Sequence, residues 1–171
     1  TKTGHTFLGW ATSLDGEVVY SENAIYTLGA TNVTLYAKWN INQYTISFNT
    51  KGGDVVSPIT QDYNTILLMP TNPSKNGYTF DGWYLDEELT SPFSSSRMPA
   101  ENITLYAKWN VNSYTVSFNV DGGGAISPIT EEFSSSITLP TPTKTGHTFL
   151  GWATSQGGEV VYRENASYTF G

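Results

Sequence analysis

The residues best suited to acid–base chemistry in this chain are its two histidines, His5 and His147. Each lies in the motif Gly-His-Thr-Phe-Leu-Gly-Trp, and a third copy of the motif carries Tyr78 at the histidine position. A catalytic or ligand histidine would not be interchangeable with tyrosine in copies that do the same job. No Ser-His-Asp arrangement keeps a fixed offset in the copies either. The pattern therefore predicts strand residues without a chemical role and no catalytic residues.

Carboxylates near predicted turns are the next candidates, as ligands for calcium. Calcium needs several oxygens that converge from one loop with a defined spacing, and no such spacing occurs. The chain also contains no cysteine, which excludes disulfides and thiolate metal sites. We therefore expect no metal and no cofactor, and we interpret these carboxylates as solvated surface charge: Asp54, Asp62, Asp121, Glu131 and Glu132.

Two glycine clusters, Gly52-Gly53 and Gly122–Gly124, resemble phosphate-binding loops only superficially. Neither is followed by the Lys-Ser/Thr pair that such a loop requires, and no helical pattern follows. Glycine in a tight turn between strands is the simpler interpretation, because it adopts positive φ angles without steric cost. Both clusters predict hairpin turns.

Lys38 and Lys108 lie in aromatic strand segments beside Tyr36 and Tyr106. Strand alternation places each lysine on the same face as threonine and tyrosine. This favours a lysine stem lying along the tyrosine over a buried lysine in an isopeptide crosslink. These four residues are the candidate binding surface for a host glycan or surface protein. The alternative is that most of the aromatic side chains belong to the core.

Charge excludes some classes of partner. The net charge is −7, with eight Lys and Arg against 15 Asp and Glu. Such a chain cannot neutralise a phosphate backbone or an anionic membrane surface, so it predicts no nucleic-acid binding. No apolar run is long enough to cross a bilayer, so we expect no membrane insertion.

Internal repetition determines the predicted organisation. Several motifs recur with one constant spacing of about 70 residues, here called the repeat offset, which is typical of a tandem array of modules of that length. The recurring pairs are Leu35–Asn40 with Leu105–Asn110, Tyr44–Asn49 with Tyr114–Asn119, and Ser57–Thr60 with Ser127–Thr130.

The repeat offset predicts three modules. Residues 1–40 form the C-terminal part of one module, residues 41–110 a complete module, and residues 111–171 the front of a third without its last strand. Residues 1–27 recur closely as residues 143–169, which indicates two alternating module types. We expect the chain to be a piece of a longer array.

Alternation within each module predicts strands. Tyr44, Ile46 and Phe48 share one face of a strand over 44–48. A return strand is predicted over 55–60, a third over 78–84, and closing strands over 33–39 and 103–109. Gly82-Trp83 predicts a bulge or a bend. Residues 85–100 look irregular, with room for a short helix or a turn. The predicted fold class is therefore mainly β, and α+β at most.

The ordered motifs Pro-Thr-Lys-x-Gly-[HY]-Thr-Phe-x-Gly-Trp and Thr-Leu-Tyr-Ala-Lys-Trp-Asn resemble the Listeria–Bacteroides repeat, also called the internalin B-repeat. Residues 142–152, 75–83, 34–40 and 104–110 carry the resemblance. The family implies a β-grasp-like (ubiquitin- or SUMO-like) fold in each module. It also implies an extracellular place in a large bacterial surface protein, anchored to the cell wall, where the repeats form a stalk for an adhesive domain.

Two functions remain open at this stage, a non-catalytic stalk or spacer and an adhesion module with a host glycan or receptor as its partner. The missing last strand of the third module also predicts an open sheet edge, and open edges recruit strands. Residues 31–39 of a neighbouring copy have the matching sequence, so we predict strand exchange between copies.

Overall fold

The computed structural model describes all 171 residues, and every regular element in it is a β-strand. No helix forms, so none of the length and apolarity needed to span a membrane is present. The irregular stretch over 85–100 consists of turns and bends. The strands are β1 (His5–Ala11), β2 (Tyr36–Ile41), β3 (Gln43–Asn49), β4 (Ile59–Asp62), β5 (Tyr78–Tyr84), β6 (Ile103–Val111), β7 (Ser113–Val116), β8 (Ile129–Glu132), β9 (Ser136–Thr138) and β10 (Ser167–Thr169).

The largest sheet has four strands in the order β4-β3-β6-β5. β3 and β4 form an antiparallel hairpin, and β3 runs parallel to β6. The turn after β3 contains Lys51 and Gly52, both with positive φ, as the glycine pattern predicts. The central pair is therefore formed by strands that are distant in sequence.

The core of this sheet follows from the predicted alternation. Ile46 and Leu105 are fully buried on the two central strands, and Ala107 is buried two residues further along β6. Trp83 packs against Phe48 with ring centroids 4.8 Å apart. Seven buried apolar residues lie between 41 and 110, at Ile46, Leu67, Trp83, Tyr84, Met98, Leu105 and Ala107.

The predicted return strand begins later than the sequence suggests. Pairing with β3 involves Ile59–Asp62, and residues 55–58 stay outside the ladder. Proline has no N–H to donate, and Pro58 directly precedes the first paired residue. The ladder therefore extends beyond the predicted residue 60 to residue 62.

A bulge occurs at the Gly-Trp motif of β1, the counterpart of Gly82-Trp83, and for Gly82-Trp83 itself the bulge stays a prediction. The antiparallel ladder of β1 with β2 shifts register between Phe7 and Gly9. Gly9 has φ +139°, and a Cβ there would overlap the carbonyl oxygen of Tyr20. The bulge thus brings the segment around Tyr20 against Trp10, whose N–H donates to the Tyr20 carbonyl at 2.7 Å.

Two compact units are distinguished by their contacts. The first comprises residues 1–73 and 82–108, and the second comprises residues 74–81 and 109–171. The first contains the β1–β2 ladder and the β3–β4 hairpin. The second contains the antiparallel pairs β7–β8 and β9–β10. The β7–β8 pairing repeats that of β3–β4 residue for residue, with every partner shifted by the repeat offset.

Candidate functional site

The most elaborate local arrangement in the first unit centres on Asn42, in the predicted joint between the first two modules. The backbone N–H of Asn42 donates to the Gly4 carbonyl at 2.9 Å, and the Asn42 carbonyl accepts from the Tyr63 N–H at 2.8 Å. The Thr6 hydroxyl donates to Oδ1 of Asn42 at 2.6 Å. One asparagine therefore bonds residues on both sides of the joint through backbone and side chain.

An aromatic ring covers the same joint. Gly4 is buried with φ +66°, and a Cβ on it would overlap the ring of Tyr63. His5 and Tyr44 each contact the Tyr63 ring edge-on, with centroids 6.1 and 6.4 Å away. Edge-on aromatic contacts of this kind stabilise by about 0.5–1.5 kcal/mol each. The glycine provides the space that the ring needs.

The second unit contains the same arrangement around Asn112. The Asn112 N–H donates to the Gly77 carbonyl, and its own carbonyl accepts from the Phe133 N–H, both at 2.8 Å. The Thr79 hydroxyl donates to Oδ1 of Asn112 at 2.6 Å, the distance found in the first joint. Gly77 is buried with φ +76°, and a Cβ on it would overlap the Phe133 ring. Because the same geometry occurs at both joints, it is a regular feature of the repeat.

The histidine position gains a structural explanation from these joints. His5 in the first joint and Tyr78 in the second both lie edge-on to the aromatic ring, Tyr78 at 5.9 Å from Phe133. His5 Nδ1 also hydrogen bonds to the Thr3 carbonyl at 2.8 Å. An edge-on contact requires only a planar ring, so histidine and tyrosine are interchangeable at this position.

The third glycine of this series has no ring above it. Gly146 has φ +75°, close to that of Gly77, yet it is exposed and nothing lies within 4 Å of the position a Cβ would take. His147 keeps the local turn, with Nδ1 3.0 Å from the Thr145 carbonyl. The conformation of this turn therefore does not depend on an aromatic ring packed against the glycine.

The candidate binding residues of the first module lie on β2. Tyr36 and Lys38 are half-buried, and the Lys38 ammonium donates to the Leu14 carbonyl at 2.7 Å. The structure therefore directs this lysine head to a loop carbonyl.

Their counterparts lie on β6. The Lys108 ammonium donates to the Tyr84 hydroxyl at 3.1 Å and lies 4.9 Å from the centroid of that ring. Tyr106 is half-buried, and a different lysine, Lys51, lies 5.8 Å from its ring centroid. Lys38, Lys108 and Tyr106 are thus engaged with a loop or a side chain of their own unit.

Two of the candidate acidic residues have side-chain partners of their own. Asp62 accepts from the Gln43 amide at 3.0 Å, and Asp121 forms an exposed ion pair with Lys144 at 3.2 Å. No group of three or more His, Cys, Asp or Glu is arranged to hold a metal ion. Exposed ion pairs of this type contribute about 0–1 kcal/mol.

Asp86 is the one carboxylate with a clear local task. Its two oxygens accept from the Thr90 N–H and hydroxyl and from the Ser91 N–H, at 2.7–3.0 Å. These bonds, first of all the one from the Thr90 N–H, lower the pKa of Asp86 below its ordinary value of 3.8. The carboxylate closes the loop that follows β5.

Sequence reasoning places Asn42 and Asn112 in the joints but does not identify the aromatic residues at 63 and 133. A signal for them exists, because Tyr63 and Phe133 are separated by the repeat offset and each directly follows the second strand of a hairpin. Nothing in the local pattern indicates that these rings lie on Gly4 and Gly77. Each contact joins segments that are distant in the chain.

These features define a segment of tandem all-β repeats with directly bonded joints. The chain belongs to the Listeria-Bacteroides repeat domain family, whose model matches residues 1–38, 44–108 and 114–171. The resemblance inferred from the motifs is thereby confirmed.

Three relatives place the family match in context. A Gly-rich membrane protein of Evansella cellulosilytica is 46% identical over 155 residues, which cover 88% of this chain and 18% of that protein. A second membrane protein of the same bacterium is 51% identical over 122 residues, covering 70% of this chain and 18% of that protein. Internalin H of Listeria monocytogenes is 36% identical over 156 residues, which cover 86% of this chain and 27% of that protein. The chain spans less than a third of the length of each.

Proposed function

We propose that this chain is a non-catalytic stalk segment of a bacterial cell-surface protein, which holds an adhesive domain away from the cell. The main observation that supports the proposal is that the same joint occurs twice in the chain. Asn42 and Asn112 make the same three hydrogen bonds, and an aromatic ring covers a buried glycine in both. Residues retained at both joints serve contacts between successive repeats, as a spacer requires.

The names of the relatives support an extracellular setting. Two are called membrane proteins and one is an internalin. Because the chain covers only a small part of each, an adhesive domain and a wall anchor belong to the proposal for the whole protein.

Within the stalk, we propose that each module is β-grasp-like, with modules dividing near residues 40 and 110. The strand order β4-β3-β6-β5 supports this, because it places the first strand of the 41–110 block parallel to the last one at the centre of the sheet. No helix forms in the chain, so the proposal of a β-grasp-like module is supported by the strand order alone.

The test displays a reporter domain on a bacterial surface through zero, one or two copies of the chain. A stalk predicts that the distance from reporter to membrane, measured by fluorescence energy transfer to a membrane dye, increases with each copy. Substituting Asn42 and Asn112 together should reduce the increase. A distance independent of copy number would contradict the stalk.

The adhesion alternative is tested on the same cells with a glycan array and host-cell binding. The stalk predicts no binding above that of cells with the reporter alone. Saturable binding that is lost on substituting Tyr36 and Tyr106 would replace the stalk with an adhesion module.

A further inference from the structure

We propose that the parallel pairing of β3 with β6 makes the 41–110 block resistant to tension along the chain. The inference rests on the proposed stalk and adds a mechanical property to it, since a stalk transmits any force that acts on the domain it holds. The resistance comes from the ladder between residues 46–49 and 103–106, here called the central ladder.

The connectivity of the block decides the direction in which tension acts on the central ladder. Tension along the chain enters at residue 41, just before β3, and leaves at residue 110, near the end of β6. Because the two strands are parallel, the start of β3 and the end of β6 lie at opposite ends of the pair. The two forces therefore point along the strands in opposite directions and shear the ladder.

Shear loads all the bonds of a ladder together, whereas forces applied at one end break them one after another. The backbone bonds of a parallel pair are evenly spaced, so the load is shared among them. The central ladder runs from Ile46 opposite Ile103 to Asn49 opposite Tyr106. Because forced unfolding depends on the rate of unfolding, a step in which the whole ladder must break at once requires a high force.

The position of the central ladder in the sheet adds to this resistance. β4 lies beside β3 and β5 lies beside β6, so both outer edges of the pair are covered by a neighbouring strand. Ile46 and Leu105 are fully buried on the two strands. A partly opened ladder would leave backbone groups unpaired where water does not replace the lost bonds, which is costly.

A side-chain bond reinforces the end of the pair at which tension enters β3. The Thr45 N–H donates to Oδ1 of Asn102 at 2.8 Å. Both residues directly precede the first residue pair of the central ladder. The bond connects the two segments that shear would separate, so it is loaded together with the ladder.

The rest of the block lies between the two strands in the chain. Residues 50–102, which include β4 and β5, follow β3 and precede β6. While the central ladder holds, tension passes from one strand to the other and does not reach this part of the chain. The block should therefore unfold in one step when the ladder breaks.

Single-molecule pulling on the full chain tests the inference, because the chain contains no cysteine and attachment points can be chosen freely. Asn40→Cys with Asn110→Cys attaches the handles on either side of the block and shears the central ladder. The control, Val55→Cys with Asn110→Cys, pulls from the end at which both strands finish and peels the ladder open. All three positions are exposed, so both variants should match the unsubstituted chain in urea unfolding.

We expect the unfolding force to be several-fold higher in shear than in the peeling control. Each shear event should lengthen the chain in a single step by about 3.3–3.6 Å for each residue between the attachments, less the folded distance. Equal forces in the two directions, or release in several small steps, would overturn the proposal. The stalk would be unaffected, because the display experiment measures distance without applied force.

Asn102→Ala tests the side-chain bond in the same two directions. We expect it to lower the force in shear and to change it little in peeling, because the bond lies at the end that peeling reaches last. The matched control is Asn72→Ala, which removes an exposed asparagine outside every strand and should leave both forces unchanged. An equal loss of force in both directions for Asn102→Ala would contradict the role of this bond in shear.

Discussion

The ring of Tyr63 lies directly on the backbone of Gly4, although the two residues are far apart in the chain. Gly4 begins the strand of one predicted module, and Tyr63 ends the first hairpin of the next. Phe133 and Gly77 repeat the relationship. The joint between successive repeats is thus a packed contact with its own hydrogen bonds rather than a free linker.

The first prediction separates ring contact from backbone strain. Gly77→Ala introduces a Cβ at φ +76° that overlaps the Phe133 ring. Gly146→Ala introduces the same Cβ at φ +75° in open space. The backbone conformation costs roughly 1–2 kcal/mol at either position, and overpacking adds about 1–3 kcal/mol at residue 77 alone. Urea unfolding should give the larger loss for Gly77→Ala. Equal losses would mean that the ring moves aside freely.

The second prediction concerns the asparagine of the joint. Removing the bond between Thr79 and Asn112 should destabilise by about 0.5–1.5 kcal/mol. A double-mutant cycle with Thr79→Val and Asn112→Ala measures the coupling. We expect the same coupling for Thr6 and Asn42, because both bonds are 2.6 Å long. Additive effects at both joints would show that the bond contributes nothing.

The third prediction concerns folding autonomy. Seven of the buried apolar residues lie between 41 and 110, and they include both fully buried central positions, Ile46 and Leu105. Residues 41–110 alone should therefore unfold in one cooperative transition, followed by the fluorescence of Trp83 and Trp109 in urea. Residues 1–40 serve as the control and should show no transition. A gradual change in the 41–110 block would contradict the predicted module.

The fourth prediction follows from the lowered pKa of Asp86. Since the folded chain holds the carboxyl below its ordinary value of 3.8, its stabilising effect is present above that pH. The effect is lost as the pH falls through the folded pKa. Exchange of the Thr90 and Ser91 amides should accelerate in that window beyond the rate expected from pH alone. Asp86→Asn should abolish the extra acceleration of amide exchange. If the variant shows the same pH dependence of exchange, the acceleration has a cause other than Asp86.

Much of the strand pattern is predictable because it depends on neighbours in sequence. The strand over Tyr78–Tyr84 coincides with its prediction, since alternation is a local signal. The return strand was predicted at 55–60 and lies at Ile59–Asp62. The alternation of residue types does not indicate which residues form backbone hydrogen bonds with a neighbouring strand. Pro58 has no N–H to donate, and the residues up to it stay outside the ladder.

The candidate binding residues illustrate the other limit. Alternation correctly places Lys108 and Tyr106 on one strand, but the lysine head lies on Tyr84, which belongs to β5. Which loop or ring a long side chain reaches depends on the strand beside it, and a sequence pattern contains no information about that neighbour. The use of these residues as a binding surface stays a prediction.

The sequence by itself determined the repeat, the mainly β character and the family, because each depends on residue types at short or regular spacings. Only the tertiary structure decided that β3 lies parallel to β6 and that Tyr63 covers Gly4. These contacts join distant segments, and their free energy comes from burial and backbone bonding that arise only when the chain is closed on itself.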